Sequence, residues 1–454
     1  MTDVASRLHA LAERALGAPL PVRVRAWDGS EAGPPDAPVL RVRHRRALRR
    51  VLWRPGELGL ARAWVAGEID TGPGEDLYRL LERLSGLLWE RESGPDASPG
   101  GPLAALARVR DPDVRACVRQ LFALGGALPP PSPPPEERRR RIGVRHTRLR
   151  DRKAVSHHYD VGNDFYRLVL GPSMVYSCAY WEPSAPGAGA DAPGPGSAPT
   201  LEDAQRDKLD LVCRKLALRE GQRLLDVGCG WGSLVLHAAR EYGVRAVGVT
   251  LSHEQAAYAR KRVAEEGLTD RVEIRVRDYR EVRDGPYDAI SSVGMAEHVG
   301  RERYRLYADD LYALLRPGGR LLNHQIGRRP LADESGYHVD RFIDAYVFPD
   351  GELAPVGRTV AVLEEAGFEV RDLESLREHY ALTLRAWVAN LEAAFDRAAR
   401  LTSYGRARVW RLYMAASALA FEHNHIGVNQ ILAVRTTSGG ASGLPLRTRR
   451  WRAV

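Results

Sequence analysis

At 454 residues, with 44% hydrophobic and 28% charged side chains, the chain has the size and composition of two or three soluble globular domains. No uninterrupted apolar run approaches bilayer length, and Met1 to Arg14 holds acids and arginines without an apolar core, so neither a membrane span nor a secretory signal is expected. The formal net charge of +9 suits an anionic partner, nucleic acid or an anionic membrane surface, although Arg-, Ala- and Gly-rich coding gives the same excess.

Residues 1–127 read as a small mixed N-terminal domain. Leu8 to Leu16 has helical spacing, Val22 to Trp27 alternates like a strand before an Asp28-Gly29 turn, and Val39 to Val42 is a second short strand. Leu58 to Trp64 and Leu77 to Leu88 are apolar and helical in pattern. The domain holds no catalytic cluster and reads as a lipid-docking or dimerisation module, the latter implying a homodimer, or equally as a scaffold with no separate role. Residues 128–153 form a linker. Pro129 to Pro135 is stiff and extended, and Arg138 to Arg141, Arg145, Arg148, Arg150, Arg152 and Lys153 make its second half basic. Such a run is a solvated segment or a contact with anionic lipid, at roughly 1 kcal/mol per basic residue near the surface. Nucleic acid is not expected, because no aromatics interleave with the arginines and no nucleic-acid motif accompanies them.

Residues 154–435 carry the chemistry. After a Pro/Gly/Ala loop from Pro183 to Pro199, Leu201 to Leu218 is a helix leading into Arg223-Leu224-Leu225-Asp226-Val227-Gly228-Cys229-Gly230-Trp231-Gly232-Ser233. The first half of that stretch is a buried parallel strand. The second half has glycine at every other position and opens a helix, which lets backbone approach a ligand where a Cβ would collide. Asp226 stands just before the turn, placed to accept hydrogen bonds. Arg245 to Thr250 is a second strand, and Ser252 caps a helix containing Gln255. Val272 to Val276 and Tyr287 to Val293 are further strands, the first ending at Asp278-Tyr279. Arg316 to Gly319 reads as a turn before a strand from Arg320 to His324. Leu331 to Gly351 lies where extra elements cover a substrate site. Thr359 to Ala366 and Leu384 to Leu419 are helical, Gln430 to Arg435 is a last strand, and residues 436–454 are a flexible basic tail. The four cysteines, Cys117, Cys178, Cys213 and Cys229, are too scattered for a disulfide framework or a metal knuckle, so a reducing cytoplasm and no metal are expected. The alternation predicts an α/β fold, a doubly wound Rossmann-like sheet beside the smaller mixed N-terminal domain.

The order of these signals resembles a class I S-adenosylmethionine methyltransferase. A dinucleotide enzyme would place an acid where Thr250 stands, and the G-x-G-x-G spacing also differs from its fingerprint. Six further motifs sharpen the resemblance: Ser156 to Tyr166, Met174 to Trp181, Met295-Ala296-Glu297-His298-Val299-Gly300, Asn323-His324-Gln325-Ile326-Gly327, Tyr346 to Gly351, and Glu378 to Leu384. Together with the glycine stretch they closely resemble the cyclopropane-fatty-acid synthase family, from about Val155 to Arg435 and more loosely over the N-terminal domain.

That resemblance implies transfer of a methylene equivalent from S-adenosylmethionine to a cis double bond of a phospholipid acyl chain, through a carbocation. It also implies a bound bicarbonate ion as base, caged by Cys178, Glu297, His324, the backbone at Ile326, and Tyr380. It assigns the cofactor to Tyr159, Ser177, Gly228, Gly230, Thr250, Leu251, Gln255, Tyr279 and Arg280, beside Asp226. The place of work would be the inner face of the cell membrane, reached peripherally from the cytoplasm. C-methylation of the same chain to a methylene branch passes through one shared cation and is not separated by these motifs. A small-molecule or RNA methyltransferase, or a membrane-binding scaffold with a relic cofactor fold, are the remaining alternatives.

Overall fold

The computed structural model describes residues 3–54, 56–71, 76–92, 115, 119–120, 122–126, 129–137, 161–182 and 199–446. The chain divides into two units, one of residues Met1–Arg140 with Tyr404–Leu419, the other of Arg141–Ser403 with Ala420–Val454. Tyr159, most of the basic linker and most of the Pro/Gly/Ala loop lie outside the described residues.

In the first unit, α1 (Val4–Leu16) starts at Asp3, whose carboxylate accepts the Ser6 amide at 2.8 Å, and stops at Gly17 in the left-handed region. Strands β1 (Arg23–Arg25), β2 (Glu31–Ala32), β3 (Val39–Val42) and β4 (Ile69–Thr71) pair in the order β2-β1-β3-β4, with β1 and β3 parallel. Helices α2 (Arg46–Trp53) and α3 (Glu57–Val65) connect β3 to β4, and α4 (Leu77–Glu92) follows. The arginines of α2 hide its periodicity in the sequence, but one of them is structural. Buried Arg50 grips buried Glu68 with two hydrogen bonds of 2.7 and 3.1 Å. The proline stretch is fastened to this unit. Arg49 and Arg50 donate to the carbonyls of Pro129 and Ser132, and Arg62 holds Glu137.

The helix Tyr404–Glu422 was expected within the catalytic region, yet its residues Tyr404–Leu419 cluster with the N-terminal unit. Arg408 explains this. Its guanidinium, 2% exposed, donates to the carbonyls of Trp64 (2.6 Å) and Ile69 (2.7 Å), pairs with Asp70 and lies 4.3 Å from the Trp64 ring centre. Arg408→Met removes these donors from buried acceptors. It is expected to destabilise this unit by about 3 kcal/mol, read as a lowered urea midpoint.

The second unit is built on an eight-stranded sheet. Its strands are β5 (Arg223–Val227), β6 (Arg245–Thr250), β7 (Val272–Val276), β8 (Tyr287–Val293), β9 (Leu315–Arg328), β10 (Ala354–Pro355), β11 (Glu369–Ser375) and β12 (Ile426–Val434). The order is β11-β12-β9-β8-β5-β6-β7, with β10 beside β9. Strands β5 to β9 run parallel to one another, and β12 runs antiparallel between β9 and β11. Successive residues of β5 feed opposite cores. Leu224 packs with Val235 and Ala256 on one face, and Leu225 with Tyr307 and Leu311 on the other. The sheet is therefore doubly wound, as the alternation predicts.

Helix α5 (Asn163–Leu170) precedes α6 (Leu201–Leu216), which has a capping box between Thr200 and Asp203. Helices α7 (Ser233–Tyr242), α8 (His253–Glu265), α9 (Tyr304–Leu314), α10 (Arg341–Tyr346) and α11 (Val356–Glu365) follow. The region expected to be helical from Leu384 resolves into α12 (Arg377–Ala393), α13 (Phe395–Leu401) and α14 (Tyr404–Glu422). The turn expected over Arg316–Gly319 is instead the irregular start of β9, where Gly318 donates to the Arg435 carbonyl and the register against β8 shifts. Among the described residues no helix is long and apolar enough to cross a membrane.

Candidate active site

The strand order reverses on either side of β5, so a crevice opens beyond the carboxyl ends of β5 and β8. A cavity occupies that crevice. Ser177, Asp226, Gly228, Gly230, Thr250, Leu251, Gln255, Tyr279 and Arg280 all line it, and Met174, Lys208, Trp231, Met295 and His298 complete much of its wall.

The floor is made by the glycine turn. Gly228 and Gly230 both have positive φ, +82° and +53°, which a glycine adopts without strain. A Cβ on Gly230 would meet nothing within 4 Å, so the cavity comes directly down to backbone there. Asp226 ends β5 buried, accepting the Ser291 hydroxyl at 2.7 Å. Burial raises its carboxyl to about 6, with the Ser291 hydrogen bond and the Lys208 charge opposing. Thr250 donates to the Gln255 side-chain oxygen at 2.9 Å, and its own hydroxyl oxygen accepts the Ser252 amide. Arg280 is turned onto Asp278 through two side-chain bonds of 2.8 and 2.6 Å. Its charge is thereby committed, and Tyr279, edge-on to Tyr307, supplies the apolar wall.

The five residues expected around an anion lie on adjoining segments. Ile326 sits on β9, and its amide donates to Glu297 Oε1 at 2.7 Å. His324 is two residues earlier on the same face of β9. Across the sheet, Val428 pairs with Ile326, and the Val428 carbonyl takes the Leu376 amide. The Leu376 carbonyl in turn accepts the Tyr380 amide and the Cys178 thiol, the latter at 3.6 Å. The Tyr380 ring is enclosed by Trp387 and Phe421. The Ile326 amide is thus already engaged by Glu297, which makes it the group that fixes the carboxyl.

Burial sets the electrostatics. Glu297 is raised to about 7, and His324 is lowered to about 3, chiefly by desolvation and secondarily by Lys208 and Lys215. Burial also pushes the Cys178 thiol well up, so it stays protonated. Glu297 Oε2 and both ring nitrogens of His324 are buried without a hydrogen-bond partner. Native proteins seldom leave such atoms orphaned, and these three belong to residues held on adjoining segments by the Ile326 amide and strand β9. The segment after β9 packs against the Glu297–His298 stretch. The Glu352 amide donates to the Glu297 carbonyl, Phe348 packs on His298, and Phe342, Tyr346 and Val347 are buried.

Lys208 escaped the sequence reading. It lies on the buried face of α6, donates to Ser177 Oγ at 2.9 Å and is lowered to about 8 by burial. Its charge acts on Cys178, on Asp226 in the cavity wall and on His324. The available signal was a polar residue at a core position of an amphipathic helix, repeated seven residues later at Lys215.

Comparison with known proteins identifies the family and the fold. The family model described as mycolic acid cyclopropane synthetase matches residues 146–431. A probable fatty acid methyltransferase of Mycobacterium tuberculosis is 41% identical over 432 residues, 94% of each chain. A cyclopropane-fatty-acyl-phospholipid synthase of Escherichia coli is 37% identical over 302 residues, covering 66% of this chain and 73% of that one. Among solved structures, a mycolic acid cyclopropane synthase complexed with SAH and CTAB has a TM-score of 0.55 and 33% identity, covering 62% of this chain and 97% of that one. The chain is therefore a member of the mycolic acid cyclopropane synthetase family and an S-adenosylmethionine-dependent methyltransferase.

Proposed function

We propose that the enzyme adds a one-carbon unit from S-adenosylmethionine to a cis double bond of a phospholipid acyl chain and closes a cyclopropane, with bicarbonate as the base. When bound, S-adenosylmethionine supplies an electrophilic methyl carbon to the alkene π pair, its C–S electrons leave with sulfur, and bicarbonate takes the proton whose C–H pair closes the ring. The observation that carries this reading is that Glu297 Oε2 and both ring nitrogens of His324 are buried with no protein partner, which we read as a socket for a small anion.

The residues fit that chemistry. Cys178 stays a thiol and His324 is a poor base, so neither removes a proton from a methyl group unaided. A small anion accepts a hydrogen bond from neutral His324. It accepts another from Glu297 while that carboxyl is protonated, or donates its hydroxyl once it is not. Gly228 and Gly230 admit the cofactor to backbone contact, Asp226 and Gln255 offer polar anchors, and Tyr279 offers an apolar wall; Tyr159 is assigned to the same cofactor by motif. The Phe342, Tyr346 and Phe348 segment excludes water, which would otherwise quench a cation. The substrate is taken from an anionic leaflet reached from the cytoplasm, a choice supported by the net charge of +9 and the basic run before Ala154.

One observation favours a second product. Relatives that match 432 residues are named fatty acid methyltransferases, whereas a relative named a cyclopropane-fatty-acyl-phospholipid synthase matches 302 residues. A 1,2-hydride shift that moves the cation onto the methyl-bearing carbon, followed by loss of a proton from that methyl to the same base, gives a methylene branch. Incubation with S-adenosylmethionine and vesicles of unsaturated phospholipid decides between them. Both products gain the same mass, but only the branch retains alkene signals in NMR, and an unmodified chain overturns the proposal.

A further inference from the structure

A row of side chains crosses the sheet beside the socket. On β11, β12 and β9, Glu374 faces Gln430 and Gln430 faces His324 in the strand register. Directly opposed residues of antiparallel strands share a face, with Cβ atoms about 5 Å apart. All three are buried. Above the row, fully buried Lys215 of α6 donates to Gln430 Oε1 at 2.7 Å and to Glu374 at 2.6 Å, with Asp372 at 3.8 Å. An ammonium faces only the oxygen of a carboxamide, so Lys215 fixes which way the amide points. The Gln430 NH2 group is left with no partner, and both His324 nitrogens are in the same condition.

We propose that Gln430 is a positioning residue for His324: its NH2, aimed by Lys215, donates to one imidazole nitrogen and so fixes the tautomer whose other nitrogen donates into the socket. The polarity runs one way. Lys215 donates to the amide oxygen, the amide donates to the ring, and the ring donates to an anion. Glu374 and Asp372 balance the charge of Lys215 and keep it in place. Ligand-free sites often hold such bonds loosely until the ligand arrives. This inference rests on the anion reading of the socket, but its two measurements separate the outcomes.

The first measurement is the 15N chemical shifts of histidine-labelled protein, which report the tautomer of neutral His324, its signals identified by their loss in His324→Phe. Wild type is expected to show a single tautomer. Gln430→Glu, whose carboxylate accepts from the ring, is expected to show the opposite one, and Gln430→Met, of similar volume, a mixture. The same tautomer in all three overturns the proposal, whether or not the socket takes an anion. The second measurement is turnover in carbon dioxide-depleted buffer with bicarbonate added back. Gln430→Met is expected to need about tenfold more bicarbonate for half-maximal rate, with unchanged S-adenosylmethionine affinity. A bicarbonate requirement equal to wild type overturns the proposal. Wild-type turnover that ignores bicarbonate overturns the anion reading instead, and the tautomer comparison then decides on Gln430 alone.

Discussion

Glu297→Gln is expected to lower turnover by about 10³-fold or more while S-adenosylmethionine binds as before. The substitution keeps the shape and the bond from the Ile326 amide to Oε1, but it removes a proton-exchanging group from the socket. The cofactor cavity is lined by other residues, so calorimetric titration with S-adenosylmethionine is expected to give the wild-type affinity. His324→Ala is expected to behave alike. Near-normal product from either variant would remove these residues from the chemistry.

The same variant carries a pH signature. Burial raises the Glu297 carboxyl from 4.5 to about 7. The unfolded chain therefore releases this proton as pH rises through 4.5, whereas the native state keeps it until about 7. Native stability falls across that window and the loss is complete above it. At roughly 1.4 kcal/mol per unit the loss is about 3 kcal/mol, and glutamine avoids it. Urea unfolding is thus expected to show Glu297→Gln gaining on wild type between pH 5 and pH 8. A constant difference across that range would contradict the burial-driven shift.

Gly230→Val is the second large effect, expected to weaken S-adenosylmethionine binding at least ~100-fold. A branched side chain at φ +53° is strained, and its methyls would stand in the space that opens above the turn. Gly221, also at positive φ with open space around its Cβ, lies outside the cavity lining and serves as the control. Gly221→Val is expected to cost stability without changing cofactor affinity. Equal binding by Gly230→Val and wild type in calorimetry would place the cofactor elsewhere.

The sequence by itself determined the strand–glycine–helix turn, the polar residues flanking it and the doubly wound alternation, because each is written in consecutive residues as a period, a glycine or a cap. It also determined, through motif resemblance, which scattered residues belong to one chemistry. Strand β11 was missed since Glu369–Ser375 is half charged, and its pairing with β12 is made only in the assembled sheet. The tertiary structure alone decided that the Ile326 amide holds Glu297, that Arg408 binds its helix to the N-terminal unit, and that Lys208 meets Ser177 while Lys215 meets Gln430. Periodicity states which face of an element is buried. Which polar groups meet across that face depends on strand register and helix placement, and those are fixed by contacts between residues 29 to 344 positions apart.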